Sequence, residues 1–294
     1  MGHVPDNQAR KKRFKFKMSE IALLSLLLAF AFLLGPWMTN QFYLNASKLY
    51  FRIHILSLVL MIFGFLLDES RLFAAWPAFC LIGFLIFLNQ ERAKLISPWG
   101  VAACITFVFS LISAVWFFAG SNGLHLLGYN QTWSFYAALH SSYLGWLFVG
   151  CMAYLAAQRG ASKIYLYSCF LVLFCFLLVA FGINGIPHIK RIGVIALSIL
   201  IPLVIGFHAW NSKAANRVSR IMSLLSFISI CGAMLMAILY EFWPSSPRAL
   251  LGLPIMVVTH GILNALVTLP CFFLAIRMER GHENSSETCS TEVG

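Results

Sequence analysis

Charge is scarce in this chain, and its distribution excludes several classes of protein at once. Only 11% of the 294 residues are Asp, Glu, Lys or Arg, while 60% are apolar. With a mean hydropathy of +0.83, this composition does not suit a water-soluble domain. Acids are the rarest group, and none is centred in an apolar stretch. Glu20 and Glu241 stand at segment ends, Asp68, Glu69 and Glu91 fall in connectors, and the others belong to the tails. That placement argues against a proton- or cation-driven transporter built on a buried carboxylate. Long alternation of apolar and polar residues is also missing, which excludes a membrane β-barrel. There is no Walker A loop, no HExxH, no G-x-S-x-G elbow and no dinucleotide fingerprint, so ATP-driven work would need a partner ATPase. The eight cysteines include no CxxC pair, and seven of them lie in or at the ends of apolar segments. They read as small buried hydrophobes, not as a zinc site or a disulfide framework.

What the chain does contain is a succession of apolar runs. A bilayer core needs roughly 20 apolar residues in a helix, with about 17 tolerated. Nine segments approach this length: 21–37, 53–67, 73–88, 101–119, 135–157, 164–183, 192–210, 221–240 and 250–276. The expected fold is therefore all-α, a polytopic helical membrane protein with about 8–9 transmembrane helices. Its organisation reads as a basic N-terminal tail over 1–18, one helical transmembrane domain over 19–276, and a polar C-terminal tail over 277–294. The second segment is short, and the connector Asp68-Glu69-Ser70-Arg71 reads as a tight hairpin in preference to a re-entrant element. Trp and Tyr near the segment boundaries suit interfacial anchoring.

The formal net charge of +11 owes much to Arg10, Lys11, Lys12, Arg13, Lys15 and Lys17. A short basic tail beside a span is a topology signal or an anionic-lipid contact, so no nucleic acid is expected as a partner. The following run extends to Leu34 without a small-x-small site, which makes it an uncleaved first span. Sidedness is contradictory. With nine crossings and the N-tail inside, the remaining inside connectors hold four basic residues and the outside ones eleven. Either the N-tail is translocated or one early segment does not cross, and we expect a cytoplasmic C-terminus.

Histidines are the ionisable groups left inside the apolar runs. His140 and His260 lie within segments, while His54 and His208 lie near segment ends. His260, Asn264 and Thr268 are spaced four apart and share a helix face between Pro254 and Pro270. Tyr136, His140 and Tyr143 share another, beside Ser141, Ser142 and Trp146. Such stripes either hydrogen-bond neighbouring helices or line a polar site. The candidate substrate-binding residues are His140, Tyr143, His260 and Asn264, with a small molecule or a lipid as ligand in addition to the bilayer. Haem or metal ligation, or acid-base catalysis by the histidines in an intramembrane enzyme or redox protein, is the alternative. No metal ligand set is assigned.

Three stretches carry a family resemblance: "LHSSYLGWLFVG" (139–150), "FGINGIPHIKRIGV" (181–194) and "VVTHGILNAL" (257–266). Together they resemble the YndJ-like family of bacterial integral membrane proteins. That family has an H-x-H-aromatic-x-G-aromatic segment and a later T-H-G-x-x-N-A motif. His140, Tyr143, Gly145 and Trp146 match the first, and Thr259, His260, Gly261, Asn264 and Ala265 the second. Ser142 stands where the second histidine is expected, which removes one potential metal ligand, and Val267 where a glycine often follows. The resemblance implies a protein of the bacterial cytoplasmic membrane, described in places as a transporter.

Overall fold

The computed structural model describes residues 7–92, 95–158, 162–183, 186–211, 217–243, 245, 249–250 and 252–291. Its helices are α1 (Asn7–Phe42), α2 (Lys48–Leu66), α3 (Ala75–Gln90), α4 (Pro98–Ser121), α5 (Gln131–His140), α6 (Gly150–Gln158), α7 (Ser162–Ile183), α8 (Pro187–Asn211), α9 (Arg217–Phe242) and α10 (Leu269–Thr291). A π-helix, Ser141–Val149, joins α5 and α6 into one continuous central rod. Two further π-helices, Val257–Gly261 and Leu263–Thr268, lead into α10 and form a terminal rod with it. The nine apolar segments thus become nine rods among the described residues. Eight of them are long and apolar enough to cross a membrane, and the central rod is the ninth. Large apolar side chains such as Phe65, Phe174, Leu203 and Ile228 stay exposed on the outer rods, as an integral membrane protein requires where lipid covers them.

Local sequence sets the rod ends. Ser97 accepts from the Gly100 amide at 3.0 Å with Pro98 in the first turn, and Asn130 accepts from the Trp133 amide at 3.0 Å. Both are N-caps for amides that lack an intrahelical partner. Asp68 adopts φ 53°, a left-handed conformation that Asp tolerates, and the Glu69 amide returns to the Gly64 carbonyl at 2.9 Å. The chain then turns through a 3₁₀ segment, Ser70–Ala74, so the connector is the expected hairpin.

Consecutive rods run antiparallel throughout. Between α1 and α2, His54 meets Phe32; between α3 and α4, Phe87 meets Phe107 near one end and Phe73 meets Phe117 near the other. Ser113 of α4 meets Ala138, and Phe109 meets Gly145 further along the central rod. Tyr165 of α7 reaches His208 of α8, Lys190 of α8 pairs with Glu241 of α9, and Ser219 of α9 with Ala275 of the terminal rod. The alternation places α1 parallel to the central rod, and Tyr136–Glu20 and Tyr143–Leu27 follow that register. With nine alternating rods, Asn7 and Thr291, the first and last described residues, belong to rods that enter and leave the bundle at opposite ends.

The central rod is the axis of the packing. From Ser141 to Ala156 every residue but Leu144 is buried. Close approach depends on Gly145, where a Cβ would stand 2.0 Å from Cγ of Phe109. Pro36 in α1 removes the amide that would serve the Phe32 carbonyl four residues earlier. His54 Nε2 donates to that carbonyl at 2.9 Å, so this histidine has a structural task explained by a proline on another helix. On α9, Ser219, Ser223, Ser226 and Ser229 form a buried small-residue seam against the terminal rod. Ser226 donates to the Thr268 carbonyl at 2.8 Å, and Thr268 donates to Ser229 Oγ at 3.0 Å.

Two sequence expectations need correction. The last rod does not start at residue 250, because Ala249–Leu250 and Leu253–Pro254 pair as a minimal antiparallel hairpin around Gly252 at φ 81°. The helix also continues beyond residue 276, and Glu279 on it is only 5% exposed, with its carboxylate 3.9 Å from His208 Nε2. Acids stand near the ends of spans as expected, but one of them is buried. Composition changes at 276, but Glu279 is still packed inside the bundle.

Candidate functional site

A cavity of about 240 Å³ lies in the half of the bundle that contains the start of α1. Its walls come from α1, the central rod, α7, α8, α9 and the terminal rod. The four candidates His140, Tyr143, His260 and Asn264 all line it, as does Tyr136. The two polar stripes, well over a hundred residues apart in sequence, therefore face one space. Most of the remaining lining is apolar, including Leu24, Leu27, Ile230 and Met234. An apolar cavity with a few convergent polar groups is the usual composition of a small-molecule site, and this volume has room for several waters.

Both stripes belong to π-helical backbone or adjoin it. His140 immediately precedes Ser141–Val149, and His260 and Asn264 lie within Val257–Gly261 and Leu263–Thr268. An α-helical face was the expectation for the second stripe. The observed ladder is i→i+5, a rare form found mostly as bulges inside α-helices and frequently at functional sites. The stripe is divided: His260 and Asn264 reach the cavity, while Thr268 is fully buried against Ser229 on α9.

Hydrogen bonding fixes the tautomers in the neutral imidazoles. His260 Nδ1 lies 3.0 Å from the Ala233 carbonyl, which can only accept, so Nδ1 carries the proton. Its Nε2 is then an acceptor, and Asn264 Nδ2 donates to it at 3.2 Å. The same logic fixes the Asn264 amide, because the flipped form would set Oδ1 against a lone pair. Asn264 Oδ1 is left with no hydrogen-bond partner. His140 Nδ1 donates to the Tyr136 carbonyl one turn earlier at 2.8 Å, and its side chain stands open to the cavity. Nε2 of His140 is therefore an acceptor facing open space.

Other side chains are committed to holding the frame. The Tyr143 hydroxyl donates to the Leu27 carbonyl at 2.6 Å, so its ring forms wall while its polar atom ties the central rod to α1. Ser142, in place of the family's second histidine, shares a 2.6 Å hydrogen bond with Ser113, which itself donates to the Ala138 carbonyl at 3.0 Å. Trp146 donates to Thr39 at 2.8 Å. Neither His54 nor His208 lines the cavity. His54 borders a separate hollow of about 360 Å³ between α1 and α2, walled by outward-facing residues such as Leu33, Phe51 and Ile55.

Sequence reasoning missed two contributors. Glu20 accepts from the Tyr136 hydroxyl at 2.8 Å, which brings a carboxylate to the rim of the cavity; the signal was an acid at the entrance of a span, but its partner is 116 residues away. Ser198 lines the cavity on α8, and Pro202 four residues later removes the amide that would serve its carbonyl. On the far side, Phe148 lines the cavity and packs on Phe272 at 5.8 Å, and Phe272 in turn meets His208 at 5.3 Å. Among the described residues, no group of three or more His, Cys, Asp or Glu could hold a metal ion.

The family model described as YndJ-like protein matches residues 21–268. That interval contains every polar group of the cavity named above except Glu20. No curated protein and no solved structure matches the chain.

Proposed function

The chain belongs to the YndJ-like family, and from that premise we propose that it binds a small, partly apolar molecule inside the bilayer, as a transporter or a carrier. His140, His260 and Asn264 supply the polar contacts and Tyr143 part of the wall. The observation that supports this reading is the convergence of the His140 and Asn264 side chains on one apolar cavity, where His140 Nε2 stands open as an acceptor without a donor. An acceptor left unpaired in apolar surroundings costs roughly 1–3 kcal/mol, and a molecule that enters the cavity with a hydrogen-bond donor removes that cost at His140 Nε2. Interhelical packing alone accounts for Tyr143 and Ser142 but leaves His140 Nε2 unexplained. In this reading the protein lies in the cytoplasmic membrane of a bacterium, as its family resemblance implies.

Native mass spectrometry of the protein released from nanodiscs, beside His260→Ala and His140→Ala variants, tests the proposal. The expected result is a non-protein mass on the wild type that is lost from both variants. Identical spectra for all three proteins, with common membrane lipids as the sole adducts, would refute it.

A further inference from the structure

The cavity's polar atoms are strongly biased toward one half of the hydrogen bond. Most of its donors are spent: His140 Nδ1–H on the Tyr136 carbonyl, His260 Nδ1–H on the Ala233 carbonyl, the Tyr143 hydroxyl on the Leu27 carbonyl and the Tyr136 hydroxyl on Glu20. One N–H of Asn264 goes to His260. What remains open is His140 Nε2 and, at the rim, the Glu20 carboxylate, whose hydrogen bond from Tyr136 leaves most of its acceptor capacity; Asn264 keeps its second N–H, while its Oδ1 is enclosed. The Ser198 hydroxyl serves either way. Among the residues whose side chains are described, Glu20 brings a negative charge to the rim, and the cations Lys190 and Arg191 are paired with Glu241.

Resting on the binding function proposed above, we propose that the ligand is an amphiphile whose head donates hydrogen bonds, an alcohol or a protonated amine on an apolar body, and that acceptor-only and anionic heads are rejected. Such a head satisfies His140 Nε2, while its body lies against Leu24, Leu27, Ile230 and Met234. An ether of the same length sets lone pair against lone pair, and a sulfate adds repulsion from Glu20. Both lose the donor contact and leave the acceptors unpaired.

Four probes of one chain length separate these cases: 1-decanol, decylamine, decyl methyl ether and decyl sulfate. Each is titrated by native mass spectrometry onto the full chain in nanodiscs, and its affinity is corrected for partitioning into empty nanodiscs. Wild type is expected to hold decanol and decylamine at least about tenfold more tightly than the ether and the sulfate, the discrimination that one unpaired buried acceptor produces. In His140→Ala the gap between decanol and its ether is expected to shrink to about twofold. Equal binding of all four by the wild type, or tighter binding of the ether or sulfate, overturns the donor rule and leaves the binding function standing. If no probe binds above empty nanodiscs and the wild type carries no mass of its own, the binding function itself fails and takes the donor rule with it. Because the comparison is made within the wild type, a poorly folded variant does not obscure the outcome.

Discussion

Replacing His54 by Phe tests whether a histidine inside this bundle is explained by a proline on the neighbouring helix. Phe keeps the ring between Phe79, 5.1 Å away, and Trp76, 6.0 Å away, and deletes only the donor that meets the Phe32 carbonyl at 2.9 Å. That carbonyl has no helical donor, because residue 36 is proline. Leaving it unpaired costs roughly 1–3 kcal/mol by soluble-protein measures, while interhelical hydrogen bonds in membranes average about 0.6 and reach about 1.7 kcal/mol. The covalent loss of the alternative donor puts His54 at the upper end, so His54→Phe is expected to cost about 1–2 kcal/mol. Pro36→Ala restores the amide, and in that background the same substitution should cost less than about 0.5 kcal/mol. The assay is reversible unfolding in mixed micelles with a rising fraction of denaturing detergent, followed by tryptophan fluorescence, on the four proteins of the cycle. Equal costs in the two backgrounds, within about 0.3 kcal/mol, would refute the coupling and return His54 to ring packing alone.

Gly145→Ala is expected to lower stability by about 2–3 kcal/mol, since the added methyl meets the Phe109 ring at 2.0 Å; Phe109→Leu in the same chain should recover part of the loss, and a wild-type midpoint for the single variant would contradict the packing. Ser226→Ala, which removes the 2.8 Å bond to the Thr268 carbonyl, should cost about 0.6–1.7 kcal/mol in the same micelle assay, and no measurable change would show that the seam holds by shape alone. Reporters fused to the two ends should fall on opposite sides of the membrane, with the C-terminal one cytoplasmic, because the connectors on its side hold eleven basic residues against four elsewhere outside the N-tail. Reporters active on the same side would contradict the alternation of the nine rods. Of the basic residues in that count, Lys94, Arg159, Lys213 and Arg248 lie outside the described residues.

Rod number and order were readable because hydrophobic length is a local property, and the hairpin at Asp68 was readable because four polar residues have no other use between two spans. The four candidate residues could be picked out for a related reason, that a polar group in a span must face something other than lipid. Periodicity also put Tyr136, His140 and Tyr143 on one face, and all three line the cavity. What escaped the sequence depends on pairs far apart in the chain. Nothing local links Pro36 to His54, Glu20 to Tyr136, or Glu279 to His208. The π-helical winding was hidden too, since apolar spacing does not distinguish i→i+4 from i→i+5 ladders over one or two turns. Thr268, expected on the same stripe, packs instead against Ser229 of α9.

The least apolar of the nine rods is also the most enclosed, and this has a consequence for how the protein is made. Tyr136, His140, Ser141, Ser142, Tyr143 and Trp146 make the central rod a poor candidate for entering hydrocarbon alone. Its polar atoms find partners on α1 and α4, at Leu27, Thr39 and Ser113, all synthesised earlier. During synthesis, then, the first four rods must already be assembled at the insertion site when residue 131 emerges. The histidine- and asparagine-bearing rod arrives last of all and closes the chamber. Mutations in α1 or α4 that leave the finished cavity untouched can therefore still abolish the protein, by leaving the fifth rod stranded at the membrane surface with nothing to receive it.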